Sequence, residues 1–298
     1  MVNFEKYLKY KNKYLKIKNN KKFVMTGSAD LNTDIHNKLL EKWSKFYLGP
    51  DSKTVLMRIG TMGSGKTSAI DAFVEKQLGY NANIFSIIDL DRIVTTSGFM
   101  TDPDKWWDAQ TIIGGYTIVD SIIRNSIKKG MNFSTESTGK FICPSRKVIN
   151  ISTHAGYNTI GVCPYVPYYE LKKRVKARAI EEGRDVSTAD LEDNMKNMLP
   201  RLLDVAPLCD NFYVIHNLVA KGQQPVKLVE LIVDFKKFDN DRCCAWKYND
   251  EETTKLLLIL KDNKDKYVTQ NELDIYQIEQ KFLTSLLSTS PHPYLINN

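Results

Sequence analysis

The 298 residues predict an α/β fold, a doubly wound and mainly parallel sheet with helices on both faces. Short apolar runs of strand length alternate with segments of helical periodicity, as in parallel strands joined by crossover helices. A glycine-rich segment occupies one strand-to-helix junction, and acidic residues follow two further strand-like runs, where such a sheet opens into a crevice. Apolar residues at 42% and charged residues at 26% are ordinary globular values, which excludes a disordered or collagen-like chain.

Taken in order, residues 34–46 carry Ile35, Leu39, Leu40, Trp43 and Phe46 at helical spacing before Gly49, Pro50 and Asp51 break the chain. Residues 54–59 form the first apolar run, and helical patterning resumes at Ser68 through Ala72, Phe73 and Leu78. A second strand over 84–88 ends in Asp89-Leu90-Asp91. Ile118, Ile122, Ile123 and Ile127 mark a helix leading to Gly130, and 131–135 form a third strand closed by Glu136. Strands over 158–163 and 212–216 flank a long charged helix, 168–182. Beyond Gln224, 225–233 reads as a strand, and 251–260 and 272–287 read as helices without recognisable chemistry. The organisation expected is a leader over 1–22, a main domain over 23–223, and an extension over 224–298 packed on that domain.

Residues 1–22 hold eight lysines and one acid, Glu5, so the formal charge of +7 resides in the leader and the remaining chain is balanced. The body therefore shows no charge signature of a nucleic-acid groove, and any contact with nucleic acid is expected only through the leader. The leader also resembles, in composition, the Lys/Tyr-rich N-termini of many proteins of large DNA viruses of amoebae. Five cysteines, Cys143, Cys163, Cys209, Cys243 and Cys244, form no CxxC pair. Their odd number fits a reducing compartment, and no apolar run is long enough for a spanning helix. An intracellular, cytoplasmic protein is expected, of the host cytoplasm or virion if viral.

Gly60-Thr61-Met62-Gly63-Ser64-Gly65-Lys66-Thr67 satisfies GxxxxGK[ST], with Ser68 opening the next helix. Glycines let successive main-chain amides curve around a phosphate, and the following helix points its positive end at the same anion. Lys66 would reach the β- and γ-phosphates of ATP, and Thr67 would offer its hydroxyl to Mg²⁺. An ordinary glycine-rich turn is the alternative. Phosphoryl transfer also needs a group for the attacking hydroxyl and cations for the developing charge. Asp89, Asp91 and Glu136 stand at strand ends, Asp89 more simply as a helix cap. Arg174, Arg178 and Arg184 follow on the charged helix and the turn after it. Cradle, acid, acid and arginines, in that order, describe a small-molecule kinase of P-loop type with a lid.

Over about Thr54 to His216 these motifs resemble the zeta-toxin family of P-loop kinases, whose bacterial members phosphorylate the amino sugar of UDP-N-acetylglucosamine. The resemblance makes Asp91, closing Ile87-Ile88-Asp89-Leu90-Asp91, the base. It makes Asp120 an acidic substrate contact. Glu136-Ser137-Thr138-Gly139-Lys140 is similar to the family's Glu-Gly-Thr-Gly-Arg, implying metal support from Glu136 and acceptor contacts from Glu136, Thr138 and Lys140. Val166-Pro167, Arg178, Arg184 and residues 197–200 resemble the segment with two phosphate-binding arginines, a role that falls to Arg178 and Arg184. Arg174 has no counterpart and is expected at the surface. Lys140 stands for an arginine, Ser137 for a glycine, and Asp120 is a methylene shorter than the family's glutamate. The expected function is ATP-dependent transfer to a small acceptor, a UDP-sugar by resemblance; the alternatives are a polynucleotide end kinase and a non-catalytic ATP-binding protein. Bacterial relatives commonly have antitoxin partners, and nothing in this chain encodes one.

Overall fold

Six successive buried residues, Thr54–Ile59, form strand β1. A strand without in/out alternation belongs in the middle of a sheet covered on both faces. β1 runs parallel to β3 (Phe133–Ser137) on one side and to β4 (Asn158–Tyr165) on the other. β2 (Ser86–Ile88) pairs beyond β3 and β5 (Asn211–His216) beyond β4, also parallel. β6 (Val226–Asp234) and β7 (Cys243–Tyr248) extend the β5 edge in antiparallel fashion, giving a seven-stranded sheet of order β2-β3-β1-β4-β5-β6-β7. The expected doubly wound, mainly parallel architecture is observed. The chain leaves β1 toward the β2 edge and later recrosses it to reach β4, so the segment after β1 lies where the strand order reverses.

The structure, a computed structural model, describes residues 35, 37–42, 53–99, 106–182, 186–218, 225–234 and 243–288. The leader, both domain boundaries expected from sequence, and Arg184 lie outside these residues. The chain divides into one unit of residues 1–45 and 90–122 and another of residues 46–89 and 123–298. All seven strands belong to the second unit.

In the second unit, helix α1 (Ser68–Gln77) lays Ala69, Ile70, Phe73 and Val74 on Leu56, Ile160, Val162, Tyr213 and Ile215 of the sheet. Burying each such Leu, Ile or Phe side chain stabilises by about 1.5–3 kcal/mol, which fixes α1, and the loop before it, against the strand ends. The first unit contains α2 (Leu90–Thr96) and α3 (Trp106–Ile112), followed after Gly114 and Gly115 by α4 (Tyr116–Lys128), whose last residues enter the second unit. Within it, Lys42 Nζ donates to Thr96 O at 3.0 Å.

The third strand starts two residues later than its apolar run suggests. Gly130, at φ +68°, ends α4, and the Met131 amide closes that helix by donating to Ser126 O at 2.9 Å. Asn132 spends its side chain on the Thr54 amide, at 2.8 Å. Strand pairing is left to begin at Phe133. The charged helix over 168–182 is observed as α6. Helices α5 (Ile142–His154) and α7 (Thr188–Val205) and strand β7 were not expected from the sequence. The expected C-terminal helices are α8 (Asp250–Asp262) and α9 (Gln270–Ser285). Among the described residues no helix is long and apolar enough to cross a membrane.

Candidate active site

The loop Gly60–Thr67 joins the buried end of β1 to α1. Its first amide, Gly60 N, donates to Ser137 O at the end of β3, at 3.0 Å. Within it, the Ser64 amide and hydroxyl both donate to Thr61 O, at 3.3 and 2.9 Å, closing a tight turn. Gly63 and Gly65 have φ of +80° and +84°, a region that glycine enters without a Cβ clash. Space demands glycine as well: a Cβ at Gly65 would lie 2.4 Å from Asn217 Nδ2, and one at Gly63 would lie 3.0 Å from Val175 Cγ2 of α6. Lys66 Nζ lies 3.0 and 3.1 Å from the carbonyl oxygens of Gly60 and Thr61, so its ammonium spans the loop.

Thr67 Oγ1 donates to Glu136 Oε1 at 3.2 Å, which brings together two residues expected to serve a metal. Burial and then the neighbouring Asp89 push the Glu136 carboxyl above its ordinary value, against the pull of Lys66, Arg58 and the Thr67 hydroxyl. Arg58 is paired in register with Glu136 across β1 and β3 and is fully buried. Its Nη2 lies 2.7 Å from Asp71 Oδ1 on α1. A permanent cation therefore sits beneath the loop, countered by a carboxylate of the helix that the loop opens. Burial of this kind is costly unless paired.

Asn217, just past β5, ties the loop to its surroundings. Its Nδ2 donates to Ser64 O at 3.0 Å and its amide to Tyr165 O at 3.0 Å, while its own carbonyl accepts from Arg174 Nη2 at 2.7 Å. Arg174, expected at the surface, is instead half-buried against the loop: its Cβ lies 3.6 Å from the place a Cβ of Gly63 would take, and its Nε also reaches Glu170 at 3.4 Å. Arg178, one turn on, is exposed. Arg58 and Asn217 escaped the sequence reading, which placed Arg174 at the surface. Arg58 hides in an apolar run, and Asn217 is defined only by a partner 153 residues away.

The segment after β3 is backed by α7. Asn194 Nδ2 donates to Thr138 O at 3.3 Å, the Lys140 ammonium pairs with Asp193, and Arg201 donates to Lys140 O. Asp91 lies in the first turn of α2, exposed, and Asp89 immediately precedes that helix. Asp91 and Asp120, on α4, belong to the first unit, whereas the loop, Lys66, Glu136, Thr138, Lys140 and Arg178 belong to the second. Tyr165, Tyr168 and Tyr169 are buried. His216 Nε2 lies 3.5 Å from Glu252, and His154 Nδ1 lies 2.7 Å from Asn150 O. A cavity of about 610 Å³ lies on α6 around Tyr169, Lys172, Lys173, Lys176 and Lys266; Val175 belongs both to its wall and to the contact with Gly63.

No family model and no curated protein matches the chain. Solved structures do. The complex of AvrRxo1-ORF1 with AvrRxo1-ORF2, determined with sulphate ions, aligns with a TM-score of 0.55 at 11% identity, covering 86% of this chain and 86% of that one. The PezAT chromosomal toxin–antitoxin system of the human pathogen Streptococcus pneumoniae aligns at 0.43 and 16% identity over 87% of this chain and 97% of that one. With the strand order, the likeness to the AvrRxo1 complex establishes a doubly wound, mainly parallel α/β fold for this chain.

Proposed function

We propose that this chain is an ATP-dependent phosphotransferase that moves the γ-phosphate to a hydroxyl of a small acceptor, a nucleotide sugar such as UDP-N-acetylglucosamine. The observation that carries this reading is the loop itself: amides curved by Gly63 and Gly65, Lys66 laid across them, and the Thr67 hydroxyl 3.2 Å from a carboxylate. A turn serving only to reverse the chain needs none of these groups.

In the proposed reaction the acceptor oxygen bonds to the γ-phosphorus while the bond to the β,γ-bridging oxygen breaks, releasing ADP, and the hydroxyl proton passes to Asp91. That role rests on the position of Asp91 three residues beyond β2 and on the zeta-toxin resemblance. Lys66, Arg178 and Arg184 oppose the charge spread over the transferred group, and positioning supplies most of the acceleration when the transition state is loose. Thr67 and Glu136 are hard oxygen donors in mutual contact, which suits Mg²⁺. Bound there, the ion would neutralise charge on the β- and γ-phosphate oxygens. Asp120, Thr138 and Lys140 are assigned to the acceptor by the resemblance. Cys143, Cys163 and Cys209 are free thiols, which supports action inside a cell.

The test is incubation with ATP and Mg²⁺ against nucleotide sugars, free sugars and oligonucleotide ends, with mass spectrometry detecting any phosphate gained. Phosphate on a nucleotide sugar supports the reading; phosphate only on oligonucleotide ends would transfer it to polynucleotide kinases, and none on any acceptor would remove it. The loop offers a second check. Gly65→Ala, forced to hold a φ of +84° and to displace the Asn217 amide, is expected to weaken ATP binding about tenfold or more, since the left-handed conformation alone costs about 1–2 kcal/mol. Calorimetric titration with ATP and Mg²⁺ measures it, and an unchanged affinity would mean that the loop does not hold the triphosphate.

A further inference from the structure

The first turn of a helix leaves amides that need acceptors, and Pro167, just before α6, has no side-chain oxygen to offer. The Tyr168 amide is satisfied from far away in the chain, donating at 2.9 Å to Glu279 Oε1 on α9. The same oxygen accepts the Tyr165 hydroxyl at 3.1 Å, and Oε2 accepts the Tyr267 hydroxyl at 2.7 Å. Glu279 is fully buried. Tyr267 packs its ring on Tyr168, Tyr169 and Tyr276, with centroids 6.2, 6.2 and 5.2 Å away. Burial pushes the Glu279 carboxyl up to about 7, against the pull of its three donors.

Two turns earlier on α9, Glu272 is also buried and pairs with Lys172 of α6 while closing its own helix in a capping box with Thr269. One face of α9 thus grips the beginning of α6 at two points. Those grips bear on the loop. Tyr165, held by Glu279 through its hydroxyl, accepts the Asn217 amide through its carbonyl, and Asn217 in turn holds both Ser64 and Arg174.

A buried carboxylate costs free energy that an apolar side chain of the same size would not, so packing alone does not account for it. We propose that Glu279 is a positioning residue for phosphoryl transfer, holding the end of β4 and the first turn of α6 where Asn217, Arg174 and the phosphate loop require them. Its catalytic part rests on the phosphotransfer reading; its mechanical part does not.

The full chain is compared with Glu279→Gln, which keeps the volume but turns one acceptor into a donor facing Tyr267, and with Glu279→Ala. Hydrogen–deuterium exchange read by mass spectrometry is expected to quicken in peptides covering residues 168–174 and 60–67 and to stay unchanged in α5. In the same variants kcat should fall about tenfold or more while KM for ATP moves less than about threefold, the mark of an interaction made chiefly in the transition state. If Glu279→Ala exchanges throughout because it fails to fold, Glu279→Gln decides. Unchanged exchange at 168–174 overturns the proposal whatever the activity, as does quickened exchange with unaltered kcat. A wild-type chain that transfers no phosphate would remove the phosphotransfer reading, and the exchange result would still decide whether Glu279 holds the loop.

Discussion

Lys66→Ala lowers kcat/KM for phosphate transfer by an expected factor of about 10³ or more, the scale seen when one preorganised donor to a developing charge is removed. The Lys66 ammonium lies within 3.1 Å of two loop carbonyls, so it is held at the cradle rather than swinging on a solvated stem. Its loss removes a cation from the phosphates in both the ground state and the transition state. Weaker ATP binding and lower kcat should therefore appear together. Steady-state kinetics over a range of ATP concentrations, with circular dichroism to show that the fold is kept, measures this. A variant that turns over within about tenfold of the wild type would take Lys66 out of the mechanism.

Asp91→Ala is expected to separate the two quantities. A group that accepts the acceptor's proton is worth about 10²–10⁴ in rate and contributes little to holding the nucleotide. ATP affinity should change less than about threefold while kcat falls by about 10³. Asp91 sits exposed in the first turn of α2, so its removal opens no buried cavity. Rapid-quench measurement of a single turnover with saturating ATP isolates the step. Unchanged turnover would show that the proton leaves by another route.

The parts of the molecule readable in sequence are those in which chemistry and local structure coincide. A glycine-rich loop between an apolar run and a helical pattern announces itself because neighbours in the chain build it. The charged helix over 168–182 was legible to the residue, and β1 likewise. Strand β3 was misplaced by two residues because Met131 closes the preceding helix and Asn132 serves the Thr54 amide, roles that an apolar count does not see. Helix α7 contains Pro200 and α5 begins after Phe141 without a side-chain cap, so each lacks an ordinary signal of a helix interior or start. Arg174 illustrates the deeper difficulty. It has no counterpart in the family the sequence resembles and so was expected at the surface, and only the carbonyl of Asn217, 43 residues on, makes it part of the loop's support. Glu279 is the extreme case, a carboxylate in an amphipathic helix whose partners are contributed by β4, α6 and the turn before α9.

That last arrangement bears on the order of events during synthesis. A ribosome completes the phosphate cradle early, but the Tyr168 amide must wait until the chain has grown by 111 further residues before its acceptor exists. A partly made chain can therefore shape the nucleotide pocket without yet locking the helix that serves it. On the phosphotransfer reading, competence would arrive late in translation, once α9 supplies Glu279 to the start of α6.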